Sequence, residues 1–418
     1  MKKVILKSNL ILGFQYLFGA IIPIVLMPFV LKEIGIKEFG IYSIFISWAT
    51  MGSVFILYVF QLTGPIALEK IKATNSKLEL TKEIFLAKLI IFIIWLIFLP
   101  LLLLISPYES NQLQNILLIL ILIPLSSLLN STWFLQYHQK FLTLCKLSFL
   151  GAIVPSIIIL IMKLGGYKNE LAIISTFYIY PFIVGLGTFI KSSNILSMKD
   201  NFLLSCIRKK NIYGAIDKLK NNFSLFFSQM IALGYGVSGP IFIGYLSGPE
   251  EAGKFSILEK IFTPIISVSL LTHTAAFPKL LGLWERDKEK YLHILIFVTK
   301  IYLLAVLLIT SIYLIMQNKI NFFVFGNLEN KYLFIGFLLW VFIAFAGPLL
   351  TSYLTISNQN TRVMQMNIFV LLLVVSISTV LTMKYGALGW ILGLTIAHVP
   401  ILILFAYTIF KLNLKIKS

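Results

Sequence analysis

Lys260 stands in an apolar stretch with Ser256, Thr263, Ser267 and Thr274, at steps of three, four and seven residues. In a helix these positions share one face, giving a polar stripe that carries a cation. A cation and hydroxyls in a line can hold an anionic group; equally, small residues of this kind pack one helix against another, with Glu259 as an adjacent counter-charge. Lys300 is a second lysine inside an apolar run, and Lys32, Lys88 and Lys146 lie nearer the ends of runs, where their stems can snorkel to an interface. An ionised group at the centre of a membrane helix costs about 2.5–3.5 kcal/mol, so lysines retained there are expected to face a cavity. His273, beside the stripe, and His398, near the C-terminus, are the proton-site candidates. The amides of Gln15, Gln61, Asn130, Gln136 and Gln229 can bond sugar hydroxyls across a polar cavity or join helices to one another.

Other chemistries have less support. Cys145 and Cys206 have no companion at metal-ligand spacing and read as structural. The loops expected on the outer side are short, and none gathers a nucleophile, a base and an acid. The chain is therefore expected not to be an enzyme and to need no metal or cofactor.

The elements that must position these residues are membrane helices. Of the 418 residues, 59% are hydrophobic and 12% charged, too few polar groups to cover a soluble protein of this size. About twelve apolar runs, from Ser8–Leu31 to Leu388–Phe410, each approach the ~20 residues that cross a bilayer. The net charge of +19 does not point to nucleic acid, because with twelve spans most of the Lys and Arg fall on one side. The positive-inside rule then places both termini in the cytoplasm. The first run is too long for a signal peptide and lacks a small-residue cleavage pattern, so it reads as a retained helix.

Two nonapeptides, Gly35 to Ser43 and Gly248 to Ser256, share the pattern G-x-x-E-x-G-x-[YF]-S. Each follows the first span of its half, which implies a parallel duplication: an N-terminal six-helix lobe at 1–193, a basic cytoplasmic linker at 194–222 and a C-terminal six-helix lobe at 223–418. The linker holds Arg208-Lys209-Lys210 and an amphipathic segment from Ile212 to Leu219. Within each nonapeptide the paired glycines suit a tight reversal, the glutamate a helix first turn, and Tyr42 and Phe255 an interfacial aromatic belt. Prolines such as Pro23, Pro124, Pro264 and Pro400 predict bent helices. The second nonapeptide runs into Lys260, whereas the first runs into uncharged Ile44 to Leu62, so the C-terminal copy is the better place to seek a ligand.

Three segments carry a family resemblance: Pro28-Phe29-Val30-Leu31 with Gly35 to Ser43, Trp133-Phe134-Leu135-Gln136, and Ile243-Gly244-Tyr245-Leu246 with Gly248 to Lys260. The chain resembles the polysaccharide-transporter branch of the multidrug, oligosaccharidyl-lipid and polysaccharide exporter superfamily, especially bacterial O-antigen flippases. The resemblance implies an all-α polytopic membrane protein with two six-helix lobes around a central cavity in the bacterial cytoplasmic (inner) membrane. Its cargo would be undecaprenyl-pyrophosphate-linked oligosaccharide, drawn from membrane lipid, with a polysaccharide polymerase and a chain-length regulator as expected partners. A capsule, teichoic or peptidoglycan lipid precursor is the alternative cargo. A cation-coupled multidrug exporter fits less well, since no Asp or Glu lies inside the first or seventh span. Lysines without acidic counterparts suit pyrophosphate. The chain departs from the family at Tyr137-His138 and in its few arginines, so no arginine role is carried over.

Overall fold

The computed structural model describes residues 2–71, 74–105, 113–165, 170–196, 205–325, 331–357 and 359–417; the side chains of 1–26 and 266–282, among others, lie outside that description. The described residues are helical, and no strand occurs among them. Seven helical stretches are long and apolar enough to cross a membrane, and a pair bent by 46°, Phe223–Val237 with Gly239–Ser247, makes an eighth. Two of the seven, Met27–Glu69 with 43 residues and Thr361–Lys411 with 51, exceed the ~20 residues of one crossing. The expected spans Ser8–Leu31 and Phe255–Leu281 fall largely on residues whose side chains are not described. The chain is an all-helical polytopic membrane protein with about twelve spans.

Contacts divide it into two compact units. The first comprises Met1–Ile34 and Ile41–Ile241, and the second Gly35–Gly40 and Phe242–Ser418.

The first unit is built from α1 (Lys2–Leu57), α2 (Phe60–Glu69), α3 (Thr74–Ile105), α4 (Leu113–Leu129), α5 (Thr132–Tyr137), α6 (Phe141–Gly165), α7 (Glu170–Ile195), α8 (Lys209–Asn221) and α9 (Phe223–Val237). One core gathers Tyr58, Phe60, Trp133, Phe134 and Leu144; another gathers Tyr42, Phe45, Trp95 and Ile119. Lipid tails are as apolar as leucine, so such clusters stabilise by close packing rather than by escape from water. Gly185 shows how close: a Cβ there would run into the Ser126 carbonyl on α4. The amphipathic segment expected near Ile212 is α8, whose Ile212, Ala215 and Leu219 join the first of these cores. It is fastened by the Tyr58 hydroxyl, which donates to the Leu219 carbonyl at 2.7 Å, and by Lys210 to Glu79 at 3.1 Å.

The second unit contains α10 (Gly239–Ser247) from Phe242 onward, α11 (Pro249–Arg286), α12 (Lys288–Phe325), α13 (Lys331–Ala344), α14 (Ala346–Ile356), α15 (Asn360–Leu373), a π turn at Val374–Ser378 and α16 (Thr379–Lys417). Its core is aromatic: Phe262 stacks on Phe337 at 5.3 Å, Tyr313 on Phe334 at 3.5 Å, and Phe242 on Trp390 at 5.1 Å. The Tyr302 hydroxyl, buried between α12 and α13, donates to the Val341 carbonyl at 2.8 Å.

Both nonapeptides open with a glycine in a conformation nearly closed to other residues. Gly35 has φ 78°, ψ 168° and breaks α1; Gly248 has φ 93°, ψ 166° and precedes Pro249, the first residue of α11. The second glycines do something else. A Cβ on Gly40 would overlap the Pro249 carbonyl, and one on Gly253 would meet the Ile36 carbonyl, so this pair lets the two motifs touch. Only the first glycine of each pair makes the reversal. The aromatic residues also differ from expectation: Tyr42 and Phe255 are buried in protein rather than placed at an interfacial belt. Tyr42 accepts a bond from the Asn115 amide at 3.4 Å, and Phe255 packs on Phe337.

Candidate functional site

Lys260 lies on α11 about two turns beyond Gly253, half-buried, with its ammonium 5.5 Å from the ring centroid of Phe39. A desolvated cation over an aromatic face gains of order 1–2 kcal/mol, which offsets part of the cost of keeping it out of water. The stripe is graded along its described length. Ser256 is buried, Lys260 half-buried and Thr263 exposed, so the polar line emerges from the packing as α11 advances. The side chains of Ser267, His273 and Thr274 lie outside the described residues. Lys300 is exposed on α12 and shares its face with exposed Phe297 and Leu304. His398 is buried in α16, with Nδ1 2.8 Å from the Leu394 carbonyl, a bond that occupies that ring nitrogen within its own helix. These groups belong to the second unit.

The same unit explains the motif glutamate. Glu251 lies in the first turn of α11, as expected, but its Oε2 accepts the N–H of Ala387 at 3.0 Å, while Oε1 accepts from Lys254 at 2.8 Å. Ala387 restarts the helix after the kink at Gly386, so the carboxylate meets a second helix N-terminus. Burial lowers the Lys254 ammonium, but hydrogen bonds and charge from Glu251 and Glu250 outweigh it and hold its pKa above the usual lysine range.

In the first unit, Lys32 is exposed and the side chain of Gln15 lies outside the described residues. Asn130 sits at the break between α4 and α5, where its Oδ1 accepts the Thr132 N–H at 2.9 Å. Its carbonyl accepts Lys88 Nζ at 2.6 Å, and the Ser127 carbonyl accepts the same ammonium at 3.1 Å. From the other side, the Ser131 N–H donates to Thr188 Oγ1 at 3.1 Å. The broken helix is thus closed by a side chain from α3 and another from α7. Gln136 is half-buried on α5, and its carbonyl accepts the Gln139 N–H at 2.9 Å. Neighbouring His138 packs on Phe134 at 4.6 Å; burial, then Lys77 and Lys140, push its pKa below the usual histidine value.

Lys88 is the residue that sequence reasoning placed wrongly. It was expected to snorkel from a span end, yet it is 2% exposed and bonded to the carbonyl end of α4. An ammonium there answers both the orphan carbonyls and the negative end of the helix dipole. A water-sized cavity of about 10 Å³ adjoins it, lined among others by Thr81, Ser131 and Ser192. The available signal was a lone lysine inside the run Ile84 to Ile105, paired with an Asn-Ser step that interrupts another run.

Helices broken at glycines and at an Asn-Ser step, in two helical units, define a polytopic α-helical membrane fold. A family profile described as "Polysaccharide biosynthesis protein" matches residues 5–284, and the chain belongs to that family. Among solved structures it is similar to the lipid II flippase MurJ in an inward closed conformation, with 15% identity, 97% of this chain and 87% of that one covered, and a TM-score of 0.66. It is also similar to a multidrug resistance MATE family transporter of the MOP superfamily in an inward-facing conformation, with 13% identity, 99% of both chains covered and a TM-score of 0.62. The outward-facing conformation of a transporter so described matches at 14% identity, covering 100% of this chain and 97% of that one, with a TM-score of 0.55. At these identities the likeness is one of fold. No curated protein sequence matches the chain.

Proposed function

We propose that this protein is a flippase that moves an undecaprenyl-pyrophosphate-linked oligosaccharide, an O-antigen repeat unit, across the bacterial cytoplasmic membrane. The observation that carries the reading is the polysaccharide biosynthesis family match over residues 5–284 of a chain with a transporter fold. Two lobes, 1–193 and 223–418, rock about the linker 194–222 in alternating access, with both termini cytoplasmic. The prenyl tail stays in lipid while the pyrophosphate meets Lys260 and then Lys300, point charges suited to phosphate. Half-burial of Lys260 supports this assignment, because a partly desolvated ammonium binds an anion more strongly than a hydrated one.

Reconstitution of the purified protein in vesicles with defined undecaprenyl-linked sugars tests the reading through a leaflet-accessibility assay. Transfer of the O-antigen unit is expected. Transfer only of a capsule, teichoic or peptidoglycan precursor would move the assignment to that cargo. Failure to move any of these, together with drug resistance on overexpression, would replace it with a multidrug exporter.

A further inference from the structure

A cavity of about 300 Å³ opens on the first unit between the start of α6 and the end of α7, lined by Leu135, Lys140, Thr143, Lys191, Asn194 and Ile195. Two of these six residues are cationic and none is acidic. Neither ammonium lies within ion-pair distance of a carboxylate among the described residues. Thr143 and Asn194 add neutral hydrogen-bonding groups, and the first turn of the 25-residue helix α6 brings the positive end of its dipole to the same place. The cavity therefore has the charge and donors of an anion site, at the lower end of the volumes that ordinary ligand pockets span.

The surface beside it is apolar. Leu142 is 57% exposed and Ile190 48%, and Ile195, itself a lining residue, is exposed too. In a membrane protein such side chains face acyl chains. By the charge sorting, this end of α6 and α7 is the lysine-rich side of the chain, where anionic headgroups are drawn to basic pockets between helices.

We propose that this cavity binds the phosphate headgroup of an anionic phospholipid, between Lys140 and Lys191, with its acyl chains lying along Leu142, Ile190 and Ile195. The bound lipid is a resident of the surrounding bilayer and not the transported cargo, so the assignment is independent of what the protein moves.

Native mass spectrometry of the full chain, released from micelles doped with phosphatidylglycerol or phosphatidylcholine, tests it. Two lysines near a headgroup predict a preference for phosphatidylglycerol of about 30-fold. In the double variant Lys140→Gln, Lys191→Gln the preference is expected to collapse to a fewfold, whereas Lys146→Gln, on α6 but outside the cavity, should keep it. Equal retention of the two lipids by the unaltered protein, or an unchanged preference in the folded double variant, would overturn the proposal. Competition by inorganic phosphate at concentrations comparable with the lipid would reassign the cavity to a free anion. Displacement by equimolar undecaprenyl pyrophosphate would reassign it to the cargo. Should the double variant not fold, a phosphatidylglycerol carrying a headgroup diazirine decides on the unaltered chain: labelling at 140–143 and 191–195 supports the site, and labelling elsewhere refutes it.

Discussion

The carboxylate of Glu251 bonds the main-chain N–H of Ala387 at 3.0 Å, across 136 residues of sequence, at the point where Gly386 turns the last helix with φ 59°. A glutamate that composition alone would assign to its own helix N-terminus thus holds another helix at its kink. Removing it leaves that N–H without its charged acceptor, so Glu251→Ala is expected to cost about 1.5–3 kcal/mol. Gly386→Ala should be at least as damaging, because it combines an unfavourable φ with a Cβ in contact with the Glu251 carboxylate. Thermal unfolding in detergent measures both, with Gly347→Ala as the control, since a Cβ there meets nothing within 4 Å.

The second motif glycines predict a different sensitivity. Gly40→Ala and Gly253→Ala place a methyl group against main-chain carbonyls of Pro249 and Ile36, which cannot swing aside as a side chain would. Each is expected to lower folded yield several-fold, of the order expected for 1–3 kcal/mol of overpacking. Gly234→Ala, with open space around it, should express normally; equal yields for all three would contradict the close-contact role.

Lys88→Met keeps the length of the stem and deletes the charge. The carbonyls of Ser127 and Asn130 then lose a charged donor in a buried setting, at a cost of about 2–4 kcal/mol. Limited proteolysis and thermal midpoints of Lys88→Met against the exposed-site change Lys146→Met would read the difference, and equal midpoints would remove Lys88 from the helix break.

For transport, Lys260→Ala is expected to abolish polysaccharide display while membrane abundance stays normal, and Lys260→Arg to retain part of it. Normal display by Lys260→Ala at normal abundance would end the assignment of this lysine to the cargo.

Thiol reactivity supplies a pH-dependent check. Burial pushes the Cys206 thiol up to about 11, against the opposing pull of Lys82, so its thiolate is scarce at neutral pH and grows as pH rises toward that value. In the folded protein a maleimide at pH 7 should modify half-buried Cys145 well before Cys206. Unfolding in denaturant should equalise the two; fast labelling of Cys206 in the native state would contradict its burial.

The helical class, the positive-φ glycines at Gly35 and Gly248 and the amphipathic α8 were legible because each follows from local rules of periodicity and backbone sterics. Lys88 was not, since whether a lysine near a span end reaches water or a neighbour's carbonyls depends on how another helix terminates. Tyr42 and Phe255 misled for a related reason: aromatic rings favour both membrane interfaces and protein cores, and only packing tells which. Asn130 stood out as an amide in an apolar run, but its bonds to Thr132 and Lys88 required the break at Ser131 to be seen.

The second compact unit is not a continuous stretch of polypeptide. A gene fragment encoding Phe242–Ser418 would omit Gly35–Gly40, the six residues on which Gly253 and Pro249 pack and among which Phe39 faces Lys260. Such a fragment would be born with an exposed seam, and the missing strip would have to be supplied in trans for it to close. An internal repeat in a sequence does not by itself confer folding autonomy on its copies; here the later copy has made part of the earlier one into its own subunit.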